Sequence, residues 1–236
     1  MHWGTAVAAA ILVIFGVTSG ARAQPVVGTV TELSGKATVH RGSQDIPITL
    51  NMPLQAKDRV DTDADGHVTY TLIDHSKTTV GRKSSTVIDE VNLVTGTSNR
   101  SSVIVTLLKG TIRSVVSSAL GRAFNYETHT SNSIIAVRGT DFAVDYSEGK
   151  ARPGFSGCGI YTDVRVFSGL VEVTNPARPN EKVEVSGGFA TTVPCFAAPL
   201  PAGPLGLAAH PVSTGALVGS PPPACPPCPM GTHVRF

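Results

Sequence analysis

The sequence predicts an all-β protein. From Pro25 to about Pro194 the chain consists of short runs of Val, Ile, Leu and Thr that Gly, Pro, Asp or Asn interrupts every six to ten residues. This pattern is typical of strands joined by turns. No segment has the spacing of a convincing amphipathic helix, and Arg113 to Leu120 is the best of the poor candidates.

Four stretches alternate apolar and polar residues with a period of two, as half-buried strands do. The apolar residues that share one face within each stretch are Val68, Tyr70 and Leu72; Val103, Val105 and Leu107; Phe142, Val144 and Tyr146; and Val183 and Val185. In the third stretch Asp141, Ala143 and Asp145 fall on the opposite face.

A strand, a glycine and a second strand follow one another three times, around Gly35, Gly110 and Gly169. These glycines lie 75 and 59 residues apart, which excludes a repeat of fixed period. Glycine permits a tight bend or bulge, so one corner geometry is reused. We therefore expect a twisted, coiled sheet assembly, solenoid-like or sandwich-like.

Residues 1–23 predict a cleavable export signal. An apolar run extends from Ala6 to Val17, and Ala21-Arg22-Ala23 supplies the small-x-small pattern that precedes cleavage. The run is short for a membrane anchor. We expect a bacterial periplasmic or secreted protein with no integral membrane segment after cleavage.

The predicted domains after the signal are a β domain over residues 24–198 and a tail over residues 199–236. Ten of the 17 prolines fall in this tail, which ends near a Cys-Pro-Pro-Cys sequence. A segment so rich in proline does not form a packed core. We expect it to be disordered and extended.

Charge excludes one class of partner. The chain carries 19 Lys and Arg against 17 Asp and Glu, a formal net charge of +2. Such a balance gives no global field that would draw nucleic acid or an anionic membrane. We predict no nucleic-acid partner.

Four cysteines are available for disulfides, which an exported protein can form. Cys158 lies in a loop-like stretch and Cys195 follows the last strand-like run, so we expect a structural disulfide between them. Cys225 and Cys228 form a C-x-x-C, which could be a tail disulfide, a pairing with another chain, a redox pair or half of a zinc site.

The stretch Arg138-Gly139-Thr140-Asp141, followed by Phe142-Ala143-Val144, resembles the most recognisable part of the FecR-type domain of bacterial envelopes. Further segments resemble the same family: 54–62, 68–76, 166–173 and 185–188. The resemblance extends from about Val27 to Val193. Lys57 departs from it, since the family usually has glycine there, and the loop around Cys158 looks like an insertion.

The resemblance implies a non-enzymatic periplasmic domain. The best-known relatives use it to relay transporter occupancy to a membrane-bound regulator of a sigma factor, and this chain resembles only the periplasmic part. We predict that Arg138 fixes a sheet corner through its donors and that Thr140 satisfies a backbone group at the turn. A role of Arg138, Gly139, Thr140 and Asp141 in recognition is the alternative.

Catalysis and metal binding are not predicted. Asp74-His75-Ser76 holds the residue types of a catalytic triad, but adjacent residues on a tight turn cannot form one. The histidines lack compact ligand spacing, and no cofactor is expected. We expect an envelope interaction module that binds a partner protein or a cell-wall component, with its oligomeric state open. The alternatives are a redox or metal-handling protein that uses Cys225 and Cys228, and a secreted structural protein.

Overall fold

A computed structural model describes residues 24–92, 101–117 and 124–206. These residues form fifteen strands and no helix, which confirms the all-β class. The strands are β1 Val26–Ser34, β2 Ala37–Arg41, β3 Gln44–Pro47, β4 Pro53–Gln55, β5 Arg59–Thr62, β6 His67–Leu72, β7 Lys77–Val80, β8 Ser85–Asn92, β9 Ser101–Val115, β10 Phe124–His129, β11 Ile134–Glu148, β12 Ile160–Asn175, β13 Arg178–Ser186, β14 Phe189–Pro194 and β15 Gly203–Pro204.

The sequence offered no convincing helix, and the described part of the best candidate, Arg113 to Leu120, is not helical: Arg113 to Val115 are the last residues of β9. The alternating stretch continues there and pairs with two neighbouring strands. The export signal over residues 1–23 and the tail beyond Gly206, with Cys225 and Cys228, lie outside the described residues. Within the described part of the chain, no helix could cross a membrane.

All strands belong to one sheet, which folds into two layers. The first layer has the order β15, β14, β12, β11, β9, β7, β6, β1, β4. The second has the order β13, β12, β11, β10, β9, β8, β5, β2, β3. The long strands β9, β11 and β12 contribute one half to each layer. Pairing is antiparallel except between β9 and β10.

The long strands change partners at glycines with positive φ. Up to Lys109, β9 pairs with β8 and β10, and from Gly110 (φ 82°) it pairs with β7 and β11. Gly139 (φ 58°) marks the same change in β11, and Gly169 (φ 86°) marks it in β12. The predicted reuse of a glycine corner in a coiled sheet is thus confirmed.

One apolar core lies between the layers. Tyr126 of the second layer meets Phe142 of the first edge to face, with ring centroids 6.4 Å apart. Its hydroxyl lies 3.1 Å from that of Thr78 and 3.3 Å from that of Ser114. The apolar faces predicted for β6, β9 and β11 are buried in this core. On β13, Val185 is fully buried and Val183 packs against the edge of the core.

The opposite face of β11 is not solvent-exposed at Ala143 and Asp145, which are both buried. A loop over residues 149–159 brings Arg152 to this side of the sheet, where it pairs with Asp163, and Arg165 pairs with Asp145. The loop is fastened by a disulfide between Cys158 and Cys195, as predicted, with the two Cα atoms 5.7 Å apart.

The first residues of the predicted tail pack on the sheet. Gly203 and Pro204 pair with β14, and the backbone N–H of Leu200 donates to the carbonyl of Thr192 at 2.9 Å. The N–H of Leu205 donates to the carbonyl of Gly188 at 2.8 Å. The β unit therefore continues to Gly206, past the boundary predicted at residue 198.

Candidate interaction surface at the Arg-Gly-Thr corner

The Arg-Gly-Thr sequence lies where β11 passes from the second layer to the first. Thr140 is buried, and its hydroxyl reaches the carbonyls of Arg138 at 3.0 Å and Leu170 at 3.1 Å. Its own carbonyl accepts from the N–H of Val116 at 2.9 Å. Thr140 thus takes the predicted role of satisfying backbone groups at the bend.

Gly169 of β12 packs directly on this bend. A Cβ atom added to Gly169 would lie 2.8 Å from the carbonyl oxygen of Gly139 and 3.1 Å from the Cα of Thr140. Both glycines also have positive φ, which other residues adopt at a cost. A side chain at Gly169 would therefore collide with the bend of β11, so this close approach of the two strands requires glycine at that position.

Asp141 is held by Arg113 of β9. The Nε of Arg113 donates to Oδ1 at 2.9 Å and Nη2 donates to Oδ2 at 2.8 Å. These hydrogen bonds raise the pKa of Arg113, an effect that its partial burial opposes and the charge of Asp141 reinforces. The guanidinium also lies 4.5 Å from the ring centroid of Phe167, a cation–π distance.

Arg138 does not take the predicted role of fixing the corner. Its side chain is exposed, and no described residue accepts a hydrogen bond or ion pair from its guanidinium. The nearby carboxylate of Asp141 is already used by Arg113. The corner is fixed by Thr140 and by the Arg113–Asp141 pair, which leaves Arg138 available to solvent.

Three large apolar side chains are exposed around the corner: Val115 by 48%, Phe167 by 40% and Leu170 by 48%. Leu170 is directly opposite Arg138 in the β11–β12 pair, and Val115 is opposite Asp141 in the β9–β11 pair. We call Val115, Arg138, Phe167 and Leu170 the corner patch. Exposed apolar residues that cluster, unlike scattered ones, mark interaction sites.

The corner lies within a segment that matches a known family. Residues 58–172 match the model described as FecR protein. This segment is a FecR domain. The resemblance noted in the sequence is thereby confirmed over these residues.

The structural unit is larger than the FecR match. Strands β1 to β4 precede residue 58 and strands β13 to β15 follow residue 172, yet all of them belong to the same sheet.

Lys57, which stands where the family usually has glycine, has a φ of 70°. The left-handed backbone at this position explains why glycine suits it.

Two crystal structures of a candidate anti-sigma factor from Parabacteroides distasonis, at 1.65 and 2.50 Å resolution, are similar to the chain. Their TM-scores are 0.43 and 0.44, each with 17% sequence identity over 62% of this chain. The chain spans 59% of the length of those proteins. No curated protein matches it.

The other sequence candidates are placed apart from the corner. Asp74-His75-Ser76 forms the predicted turn: the N–H and hydroxyl of Ser76 donate to Asp74 Oδ1 at 3.1 and 2.7 Å, and the side chain of His75 is exposed. No group of three or more His, Cys, Asp or Glu side chains with metal-ligand geometry occurs in the described residues.

Sequence reasoning missed Arg113 and the exposed apolar residues of the corner patch. The pattern offered no correct signal for Val115, because alternation continued from Val103, Val105 and Leu107 would place it in the core. The side chains of β9 change faces at the Gly110 bend, so that Ile112 and Ser114 are buried and Val115 is exposed. The pattern offered no signal for Phe167 either. Phe167 lies at a register shift of the β11–β12 pair, between the partners of Asp141 and Phe142, and tertiary contacts set that shift.

Proposed function

We propose that this chain is a non-enzymatic envelope interaction module whose FecR domain binds a partner protein through the corner patch. One observation carries the proposal: the guanidinium of Arg138 is exposed, has no partner among the described residues, and lies opposite the exposed Leu170. Export by the predicted signal over residues 1–23 and a periplasmic location belong to the same proposal.

The chemistry of the patch suits a protein partner. Arginine and large apolar side chains are enriched at the centres of protein interfaces, where burial of apolar area is combined with directed hydrogen bonds. Arg138 offers five N–H donors that a carboxylate or backbone carbonyls of the partner can accept. Val115, Phe167 and Leu170 supply the apolar area around it.

The bend that carries the patch is held in place by contacts within the domain. Thr140 ties the bend to β12, and Arg113 links β9 to Asp141 and lies against Phe167. Little conformational entropy would be lost at these positions on binding, which favours affinity. The same ion pair occupies both carboxylate oxygens of Asp141, so Arg138 and the apolar side chains are the groups of the corner that a partner can contact.

Family membership supports a regulatory role. A FecR domain that relays a signal needs a surface whose occupancy another protein can sense, and a bend shared by β9, β11 and β12 connects the corner patch to both layers. We therefore propose a partner protein of the envelope, with a cell-wall component as the alternative occupant.

The test is a pull-down from native envelope extract with the chain from residue 24 onward. Arg138→Glu with Leu170→Ser changes the corner patch, and Leu50→Ser is the matched control, since Leu50 is 57% exposed outside the patch. Both variants should keep the wild-type melting temperature to within a few degrees, as surface substitutions usually do.

Retention of one partner by the wild type and by Leu50→Ser, with its loss from the double variant, supports the proposal. A third protein, truncated after Gly206, keeps the whole β unit. A partner that binds the double variant but not the truncated protein would overturn the proposal and assign recognition to the segment with Cys225 and Cys228.

A further inference from the structure

A cleft of about 490 Å³ opens beside the Gly110 bend of β9, and it shares no lining residue with the corner patch. One wall is the turn between β7 and β8, with Arg82 and Lys83. The other walls are the β9 segment 108–111 and the end of β11 with the loop that follows, which contribute residues 145–148, Lys150 and Arg152. Its volume falls within the range of small-molecule sites.

The two buried carboxylates of the cleft are already paired. Asp163, which is 1% exposed, accepts from Arg152 Nη1 at 2.9 Å and Nη2 at 2.7 Å, and also from the hydroxyl of Thr192. Asp145 accepts from Arg165 and from Thr111. These aspartates therefore do not neutralise the remaining cations.

Four further cations line the cleft: Arg82, Lys83, Lys109 and Lys150. All four side chains are exposed, and none has an acidic partner among the described residues. Glu148 is the one additional carboxylate of the lining. The cleft is thus electropositive although the chain as a whole is nearly neutral, and a concave surface focuses such a field.

The backbone that presents these cations is fixed in place. Ser84 Oγ accepts from the N–H of Thr111 at 2.9 Å and donates to the carbonyl of Arg82 at 3.0 Å. A Cβ atom on Gly110 would lie 2.3 Å from this oxygen, so only glycine permits the contact. The N–H of Lys83 donates to the carbonyl of Asp63 at 3.0 Å. The β7–β8 turn is therefore held against β9.

We propose that this cleft binds a phosphate-bearing anion. Lysine and arginine are the side chains that bind phosphate oxygens, and several cations around one cleft favour a ligand with two or more negative charges. Bringing Arg82, Lys83, Lys109 and Lys150 together costs repulsion that such an anion offsets. The anion is either a free phosphate compound or the phosphorylated headgroup of a lipid.

The test is a calorimetric titration at physiological salt, in which inorganic diphosphate is added to the chain from residue 24 onward. The cleft variant is Lys83→Gln with Lys109→Gln. The control is Lys57→Gln with Lys182→Gln, which removes the same charge from exposed lysines outside the cleft that pair with Asp89 and Glu172.

We expect saturable binding that the cleft variant weakens about tenfold or more, while the control changes it about twofold at most because distant charges are screened. The cleft variant should unfold at the wild-type temperature. Absence of saturable diphosphate binding, or an equal loss in both variants, would overturn the proposal.

A second arm distinguishes the two sources of phosphate. Vesicles of phosphatidylcholine with phosphatidic acid, a phosphomonoester lipid, are sedimented with the wild type and with the cleft variant. Sedimentation of the wild type alone indicates a lipid headgroup, whereas diphosphate binding without sedimentation indicates a free compound. The Arg138→Glu, Leu170→Ser variant should bind diphosphate normally, which separates this proposal from that on the corner patch.

Discussion

Arg113 donates two hydrogen bonds to the carboxylate of Asp141, at 2.9 and 2.8 Å, and its guanidinium lies 4.5 Å from the ring centroid of Phe167. One side chain of β9 thus contacts both β11 and β12 at the point where β11 changes layers. The geometry is bidentate, which fixes the orientation of both partners more strictly than a single contact would.

Replacing Asp141 with Asn tests this pair. The side chains of Arg113 and Asp141 are 33% and 21% exposed, so we expect the free energy of unfolding to fall by about 1–2 kcal/mol, between the values for surface and buried pairs. Urea denaturation measures the change. Glu172→Gln, in the exposed pair with Lys182, is the control and should have a smaller effect. Equal effects would contradict the assigned role.

Gly169→Ala tests the close approach of β12 to the bend in β11. Gly188 is the matched control, because its φ of 85° is nearly that of Gly169 but a Cβ there would meet nothing within 4 Å. We expect Gly188→Ala to cost about 1–2 kcal/mol from backbone strain alone. Gly169→Ala should cost about 1–3 kcal/mol more, because the added methyl group meets Gly139 and Thr140. Similar unfolding free energies for the two variants would refute the contact.

Lys57→Gly should stabilise the protein. Lys57 has a left-handed backbone, and its ion pair with Asp89 is exposed and 3.4 Å long. Glycine relieves the backbone strain at this position, although it also increases the chain entropy of the unfolded state. The net effect should raise the free energy of unfolding by as much as about 1 kcal/mol. Lys77→Gly, in the strand β7, should destabilise by about 0.5–1 kcal/mol. A loss of stability in Lys57→Gly would contradict the expectation.

Two buried tyrosines should make the protein sensitive to alkali. Burial raises the pKa of Tyr126 to about 12, despite hydrogen bonds to Ser114 and Thr78 that lower it, and burial also raises the pKa of Tyr70. The ordinary value is about 10. The folded state therefore holds these protons more tightly, so the stability is complete below about pH 10 and declines as the pH rises toward about 12.

The loss of stability between about pH 10 and pH 12 is measured by two signals. Phenolate absorbance reports the ionisation of the tyrosines, and circular dichroism reports unfolding. We expect the signals of Tyr70 and Tyr126 to appear together with unfolding. Tyr126→Phe should flatten the decline of stability with pH. Phenolate formation by all four tyrosines near pH 10 in a folded protein would contradict the burial of Tyr70 and Tyr126.

Much of the fold could be predicted from local pattern. Alternation placed Val68, Tyr70 and Leu72 in the core, and glycine between strand-like runs indicated the bends at Gly110 and Gly169. Both signals are local, because burial of one strand face has a period of two and a left-handed backbone favours glycine.

Other features depend on contacts between distant residues. The second face of β11 is buried because Arg165 and the loop with Arg152 cover Asp145 and Asp163, which no alternation encodes. Likewise, Arg138 was predicted to fix the corner, whereas Arg113, distant in sequence, occupies Asp141. The pairing of β9 with β11 decides which arginine reaches the carboxylate.

Site-specific photo-crosslinking in intact cells tests the binding role of the corner patch most directly. A photoreactive amino acid is placed at Phe167 or Leu170 in the patch, or at Leu50 or Ile73, which are equally accessible outside it. We predict one discrete cross-linked protein from positions 167 and 170 and none from 50 and 73. Cross-linking of the same protein from all four positions, or from 50 and 73 alone, would contradict recognition at the Arg-Gly-Thr corner.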